Sequence, residues 1–222
     1  MAEDRACLKK AGILIIAAGA VLILSALLLL LHNRLENTSA GQKSEVILAE
    51  IETAVADTSS KESVSDAAEA ALPRLPDPEM PTVILDGYAY VGYIQIPALS
   101  LELPVMSEWD YERLNISPCR QFGSSRTGDL VIAAHNYQSH FGRLKELAPG
   151  DTVTFTDADG LLHEYSVEDI QILQPTEVDA VQNSGFDLVL YTCTYGGQSR
   201  VAVFCNTLIA GQPSTVNPPS PA

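Results

Sequence analysis

Residues Ala11–Leu31 run for 21 positions without a charged side chain. Wound as a helix at about 1.5 Å per residue, such a run spans roughly 30 Å, the thickness of one hydrocarbon core. This feature assigns the beginning of the 222-residue chain to a membrane and leaves the remainder for one soluble domain and a connector. Arg5, Lys9 and Lys10 precede the run, whereas Arg34, aided little by His32, follows it. The bias of basic residues predicts that residues 1–10 are cytoplasmic and that everything beyond the 11–31 anchor lies outside. A cleaved signal peptide is the competing reading. The run is longer than a typical ~7–15-residue signal core, and no small-x-small cleavage site closes it, so an anchor is expected.

Net charge is −15, from 13 Lys and Arg against 28 Asp and Glu. That balance argues against nucleic acid as a partner, because binding a phosphate backbone needs clustered cations. It suits solubility outside a cell. The chain has four cysteines, with Cys7 ahead of the apolar run and the other three lacking staple-like spacing. Free thiols are expected, with a Cys119–Cys205 disulfide as the alternative.

Residues 32–86 are rich in Ala, Ser, Glu and Asp and become Pro-rich from Pro73 to Pro81. Ser44–Val55 can form one short helix, with Ser44 as its cap and Ile47, Ile51 and Val55 on one face. Asp57–Ala71 offers too little apolar surface to order itself, and the prolines favour stiff, extended backbone. The segment therefore reads as a stalk. Residues 87–210 read as the folded domain, built of short strands, and 211–222 as a disordered tail. Tyr90–Ile96, Leu99–Met106, Leu130–Ala134, Asp151–Thr156 and Leu161–Leu173 carry strand patterns, with Leu130–Ala134 suited to burial on both faces. Asp157-Ala-Asp-Gly160 signals a hairpin turn. Helical pattern is scarce in this domain, with two turns expected at Phe141–Leu147. Many short strands at regular spacing point to a closed barrel or a sandwich.

Three chemically useful side chains stand at strand ends. Asp187–Tyr191 runs into Thr192-Cys193-Thr194, Leu130–Ala134 delivers His135, and Arg200 heads the run Val201–Cys205. A thiol of ordinary pKa near 8.5 holds little thiolate at neutral pH, and a neighbouring imidazole or cation corrects this. The division of labour follows from the groups themselves. Cys193 is the candidate nucleophile and His135 the proton donor and acceptor. Arg200, permanently charged, is suited to an oxyanion. A lone strand cysteine is more often a core thiol, and that bland reading is kept for Cys205, with Cys119 an incidental thiol in a Pro118-Cys-Arg loop. His140 is read as a loop or helix-start residue and His163 as exposed. His135 and His140 lack companions at zinc spacing, so no metal is expected. Asp157 and Asp159 are read as turn residues in preference to a calcium site.

The segment Val189-Leu-Tyr-Thr-Cys193, followed by Arg200, resembles the T-L-x-T-C…R signature of sortases. Val91-Gly-Tyr-Ile-Gln-Ile-Pro97 with Leu101-Glu-Leu-Pro-Val105 is similar to the opening sortase strands. Ala134-His135-Asn136-Tyr137 resembles the catalytic-histidine region, and Phe141-x-x-Leu144-x-x-Leu147-x-x-Gly150-Asp151 the run that follows it. Val189 and Ala134 depart from the usual Thr and Gly, and the six-residue loop Thr194–Ser199 is shorter than in many members.

The resemblance implies a mostly β fold. It would be an eight-stranded closed β-barrel with one or two short helices, preceded by a single N-terminal transmembrane helix. It also implies a membrane-anchored cysteine transpeptidase of Gram-positive surfaces, with no cofactor. Such an enzyme cleaves an L-P-x-T-G-like sorting signal of a surface protein and passes the acyl group to an amine of a cell-wall precursor or pilin. Cys193, His135 and Arg200 would carry the reaction. Thr192, Tyr195 and Asn136, their chain neighbours, are the candidates for touching substrate, and Gln174–Gly185 is the candidate recognition loop. Two other readings stand beside this one. A cell-wall cysteine peptidase or amidase of papain-like type usually has its cysteine before its histidine, the reverse of the order here. A non-catalytic surface binding domain would keep the barrel without the chemistry.

Overall fold

The computed structural model describes residues 2–65 and 79–208. The expected stiffness of Pro73–Pro81 lies mostly outside the described residues, which resume at Glu79, and the expected disorder of the 211–222 tail lies wholly outside them.

The first element, α1 (Ala2–Ser65), is one continuous helix. A membrane helix followed by a separate short helix at Ser44–Val55 and an unordered stretch from Asp57 was expected, and the difference has a simple cause. No proline occurs before Pro73, so nothing in this stretch removes a ladder hydrogen bond. Its apolar part is long and hydrophobic enough to cross a membrane, with a mean hydropathy of 2.2. The chain divides into two compact units, Met1–Ser39 and Ala40–Ala222. The end of the helix thus belongs with the strands, where a free stalk was expected.

The strands are β1 (Val83–Leu85), β2 (Tyr88–Ile96), β3 (Leu101–Met106), β4 (Cys119–Phe122), β5 (Leu130–Ala134), β6 (Thr152–Asp157), β7 (Leu162–Leu173), β8 (Leu188–Cys193) and β9 (Arg200–Thr207). They pair in the order β1-β2-β3-β4-β5-β8-β9-β7-β6, and β6 returns to pair with β2. Eight strands therefore close into a barrel, and β1 hangs from β2 as a short extra strand. Two pairs are parallel, β3 with β4 and β5 with β8, and the rest are antiparallel. The helices in the barrel region are short, α2 (Tyr111–Leu114) and α3 (Val178–Gln182). Phe141–Leu147, expected to make two helical turns, makes a 3-10 turn at Leu144–Glu146. Within Leu161–Leu173, Leu162–Leu173 forms one long strand, β7.

Side chains alternate across each strand, so every second residue points into the barrel. Leu130, Ile132 and Ala134 of β5 and Leu188 and Leu190 of β8 belong to the inner core. The outer face is covered as well. Val131 and Val189 pack with Phe204 and Val181 of α3. Ala133 packs under Ile51 and Val55 of α1, together with Tyr90, Met106, Leu114 and Cys119. Burial on both faces explains why β5 reads as a continuous apolar run. Cys119, placed in a loop by its Pro-Cys-Arg context, instead opens β4 and is fully buried. It and Cys205 are free thiols. Burial pushes both up to about 12, which leaves them un-ionised and inert.

Closure depends on one backbone position. Gly92 has φ +142, and a Cβ there would sit 1.9 Å from the Thr156 carbonyl oxygen. Its lack of a side chain lets β2 lie against β6 at the Gly92–Asp157 pair. Next to this seam, Arg126 donates from Nε to Asp157 at 3.0 Å and pairs with Asp159 as well. His163, expected to be exposed, has only 15% of its side chain accessible and meets Asp157 at 3.2 Å. The two aspartates end the strand and form the turn as expected, and their carboxylates are occupied by an arginine.

Candidate active site

β8 and β9 pair so that Cys193 lies directly opposite Arg200. Residues facing each other in an antiparallel pair hold their Cβ atoms about 5 Å apart. β5 runs parallel to β8, with Ala134 registered against Thr192. His135 therefore leaves β5 at the rim where Cys193 ends β8. Parity sets the side: Thr192 turns inward, so Cys193 turns outward, as Tyr191 does. The three residues singled out from strand ends are thereby gathered at one rim, on the outer face of the barrel.

Thr192 is buried, and its hydroxyl donates to the Ala134 carbonyl at 2.8 Å. It ties β8 to β5 directly beneath Cys193 and His135, and its side chain faces the interior, away from the outer face that Cys193 shares with Tyr191. Tyr195 is 94% exposed on the Thr194–Ser199 loop, and Asn136 is half-buried beside His135. Arg200 shapes that loop, because its Nη1 donates to the carbonyls of Gly197 (3.1 Å) and Ser199 (3.0 Å). Those bonds do not use Nε or Nη2. Cys193 is half-buried with a free thiol.

The structure adds a residue that the sequence reading missed. Asn115, at the end of α2, has its Oδ1 3.1 Å from Nε2 of His135. Its Nδ2 donates to the Tyr111 carbonyl at 3.0 Å, which turns Oδ1 toward the imidazole. An amide oxygen only accepts, so the His135 Nε2–H donates to Asn115. The signal was weak in sequence. Asp110 caps α2 by accepting from the Arg113 backbone, so an Asp-x-x-x-x-Asn pattern marks the helix and its end, but nothing there points to His135. His140, read as a loop residue, is in a loop but completely buried.

A cleft of about 180 Å³ opens beside Arg200. Its lining includes Tyr191, Gln121, Tyr111, Trp109, Leu173, Val178 and Val181. Tyr191 donates its hydroxyl to Gln121. The Gln174–Gly185 segment thus supplies one wall through α3. Arg200 is the cation of this lining and Glu177 its acid, on a surface that is otherwise largely apolar. A wider depression of about 530 Å³ around Ser107 and Gly123 contains none of the three rim residues. Among the described residues no group of three or more His, Cys, Asp or Glu is placed to hold a metal.

The Sortase domain family model matches residues 94–208, just over half of the chain. Sortase A of Bacillus anthracis is 27% identical over 121 residues, covering 52% of this chain and 57% of that relative. The match thus spans a little over half the length of that curated protein. Among solved structures, a Clostridium perfringens sortase D5 transpeptidase aligns with a TM-score of 0.55 at 18% identity, covering 76% of this chain and 99% of the other. Sortase C of Streptococcus pneumoniae aligns with a TM-score of 0.52, also at 18% identity, covering 75% and 98%. At that identity the two structures are alike in fold.

Proposed function

The chain belongs to the sortase family, and on that premise we propose that it is a membrane-anchored cysteine transpeptidase with Cys193, His135 and Arg200 as its reacting side chains. The observation that carries the reading is the strand register: Cys193 opposite Arg200, and His135 at the end of the parallel neighbour. The proposed substrate is a surface protein with an L-P-x-T-G-like sorting signal, and the acceptor is an amine of a cell-wall precursor or pilin. The apolar part of α1 anchors the enzyme, with residues 1–10 cytoplasmic and the barrel outside.

In the first step the Cys193 thiolate attacks the carbonyl carbon of the Thr–Gly bond. Arg200 hydrogen-bonds the oxygen as it gains negative charge. The C–N bond breaks, His135 gives its proton to the departing glycine amine, and a thioester remains on Cys193. In the second step an acceptor amine attacks the thioester and loses its proton to His135. The C–S bond breaks and the thiolate returns. Asn115 keeps the imidazole aimed throughout.

The test uses the full chain in detergent, a quenched L-P-x-T-G-type peptide library and an added amine, read by mass spectrometry. The expected products are an amine-linked acyl peptide and a mass adduct on Cys193. Full turnover by Cys193→Ala would remove the thiol from the mechanism. Hydrolysis indifferent to the amine would make the protein a peptidase, and no reaction with any peptide would favour a binding domain.

A further inference from the structure

We infer that Ser44, on the stretch of α1 packed against the barrel, is a positioning residue for His135. This inference rests on the proposed catalytic role of that histidine.

A serine or threonine inside a helix ordinarily turns its hydroxyl back to the carbonyl four residues earlier. In α1, Ser25, Thr38 and Thr53 do this, each at 2.9 Å. Ser44 does otherwise. Its hydroxyl donates outward to the Ile116 carbonyl at 3.1 Å and lies 3.2 Å from Nε2 of His140. The residue is 1% exposed. Because the hydroxyl hydrogen goes to Ile116, the oxygen accepts from His140 Nε2–H, an N–H that the Ala40 backbone of the same helix also engages. His140 Nδ1 is then an unprotonated nitrogen, and it is buried without a hydrogen-bond partner. A wholly buried imidazole with one idle nitrogen is costly. Its other nitrogen is spent on the helix.

Both partners of Ser44 lead to His135. Ile116 follows Asn115, whose Oδ1 accepts from His135 Nε2. His140 packs its ring against Tyr137, centroids 5.5 Å apart, and Tyr137 packs against His135 at 5.0 Å. The intervening loop folds back on itself, with the Phe141 amide donating to the His135 carbonyl at 3.2 Å. One hydroxyl thus bridges the two segments that fix the imidazole from either side. Close approach makes this possible. Ala40 is buried, and a Cβ on Gly41 would come within 3.0 Å of Ser139 Cβ. Further along, Ile51 and Val55 hold the helix to the barrel wall.

Full-length protein in detergent micelles is compared with Ser44→Ala, Ser44→Thr and Ile51→Ala. The readouts are kcat and KM for peptide transfer, the pH–rate profile, and the histidine Cε1–H NMR titration, with His135 assigned through His135→Gln. Losing an orienting outer bond should lower kcat on the order of 10-fold in Ser44→Ala, with KM unchanged and the imidazole limb of the pH profile displaced. Ser44→Thr, which keeps the hydroxyl, should recover most of the rate. Ile51→Ala should lower the unfolding temperature while leaving kcat intact, separating stability from positioning. Wild-type kcat and pH profile in folded Ser44→Ala would overturn the inference, as would a Ser44→Thr no faster than Ser44→Ala. If the wild type transfers no peptide, the proposed function fails by itself. The NMR titration then decides: a His135 resonance displaced in Ser44→Ala and restored in Ser44→Thr supports the positioning role, and an unmoved one refutes it.

Discussion

His140 gives the barrel a built-in sensitivity to acid whose size follows from its surroundings. Burial drives its pKa down from 6.5 to about 4, the nearby His135 pushes the same way, and the Ala40 backbone pulls it partly back. An unfolded chain takes up a proton on this imidazole as pH falls below about 6.5, while the folded chain does not until about 4. The associated stability is whole above pH 6.5 and is lost as pH falls through that window. At ~1.4 kcal/mol per unit the full loss is about 3 kcal/mol, of which about 2 kcal/mol is gone by pH 5. The assay is guanidinium unfolding of the full chain in detergent at pH 7.5, 6.5, 5.5 and 5.0. The fluorescence of the only tryptophan, Trp109, reports on the barrel. His140→Gln, uncharged throughout this range, serves as the reference. The wild type should lose about 2 kcal/mol more than the variant between pH 7.5 and 5.0. Parallel curves for the two proteins would refute the reasoning, because His140 would then have no part in the acid response.

Three further outcomes follow from single contacts. Asn115→Ala should reduce kcat roughly 10-fold or more with KM little changed, since the imidazole loses the acceptor at 3.1 Å that orients it; steady-state transfer kinetics read this. Arg126→Leu strands the fully buried Asp157 without its guanidinium and should cost about 3–5 kcal/mol by denaturant unfolding, with Asp157→Asn added to the same chain restoring part of the loss. Gly92→Ala sets a methyl against the Thr156 carbonyl at a positive φ and should cost about 3 kcal/mol by opening the β2–β6 seam; an unchanged unfolding midpoint would show that closure tolerates a side chain there.

The strands that end at His135 and Cys193 were legible because their periodicity is local. Leu130–Ala134 and Asp187–Tyr191 announce themselves as apolar runs, and the motif residues at their ends mark which strands are neighbours. Other parts of the fold depend on partners far away in the chain. Cys119–Phe122 is too short and too polar to read as a strand until Ala133 and α1 cover it. Ser44–Val55 was recognised as amphipathic, but what its apolar face covers is a barrel wall that forms only after β2 to β5 assemble. His163 read as exposed because nothing near it in sequence reveals Asp157 as its neighbour across the β6–β7 turn. Asn115 and His135 lie 20 residues apart, and only the closed barrel brings them into contact.

The parallel pairing of β5 with β8 has a consequence for how such a protein diversifies. His135 and Cys193 are held in step by main-chain hydrogen bonds and by the Thr192–Ala134 tie, none of which depends on the surrounding loops. The cleft walls come from other segments, the Trp109–Tyr111 turn and α3. Those segments can lengthen, shorten or change residues across generations while His135 and Cys193 stay in register. The cleft can therefore be reshaped while the spacing between the two strand ends is kept.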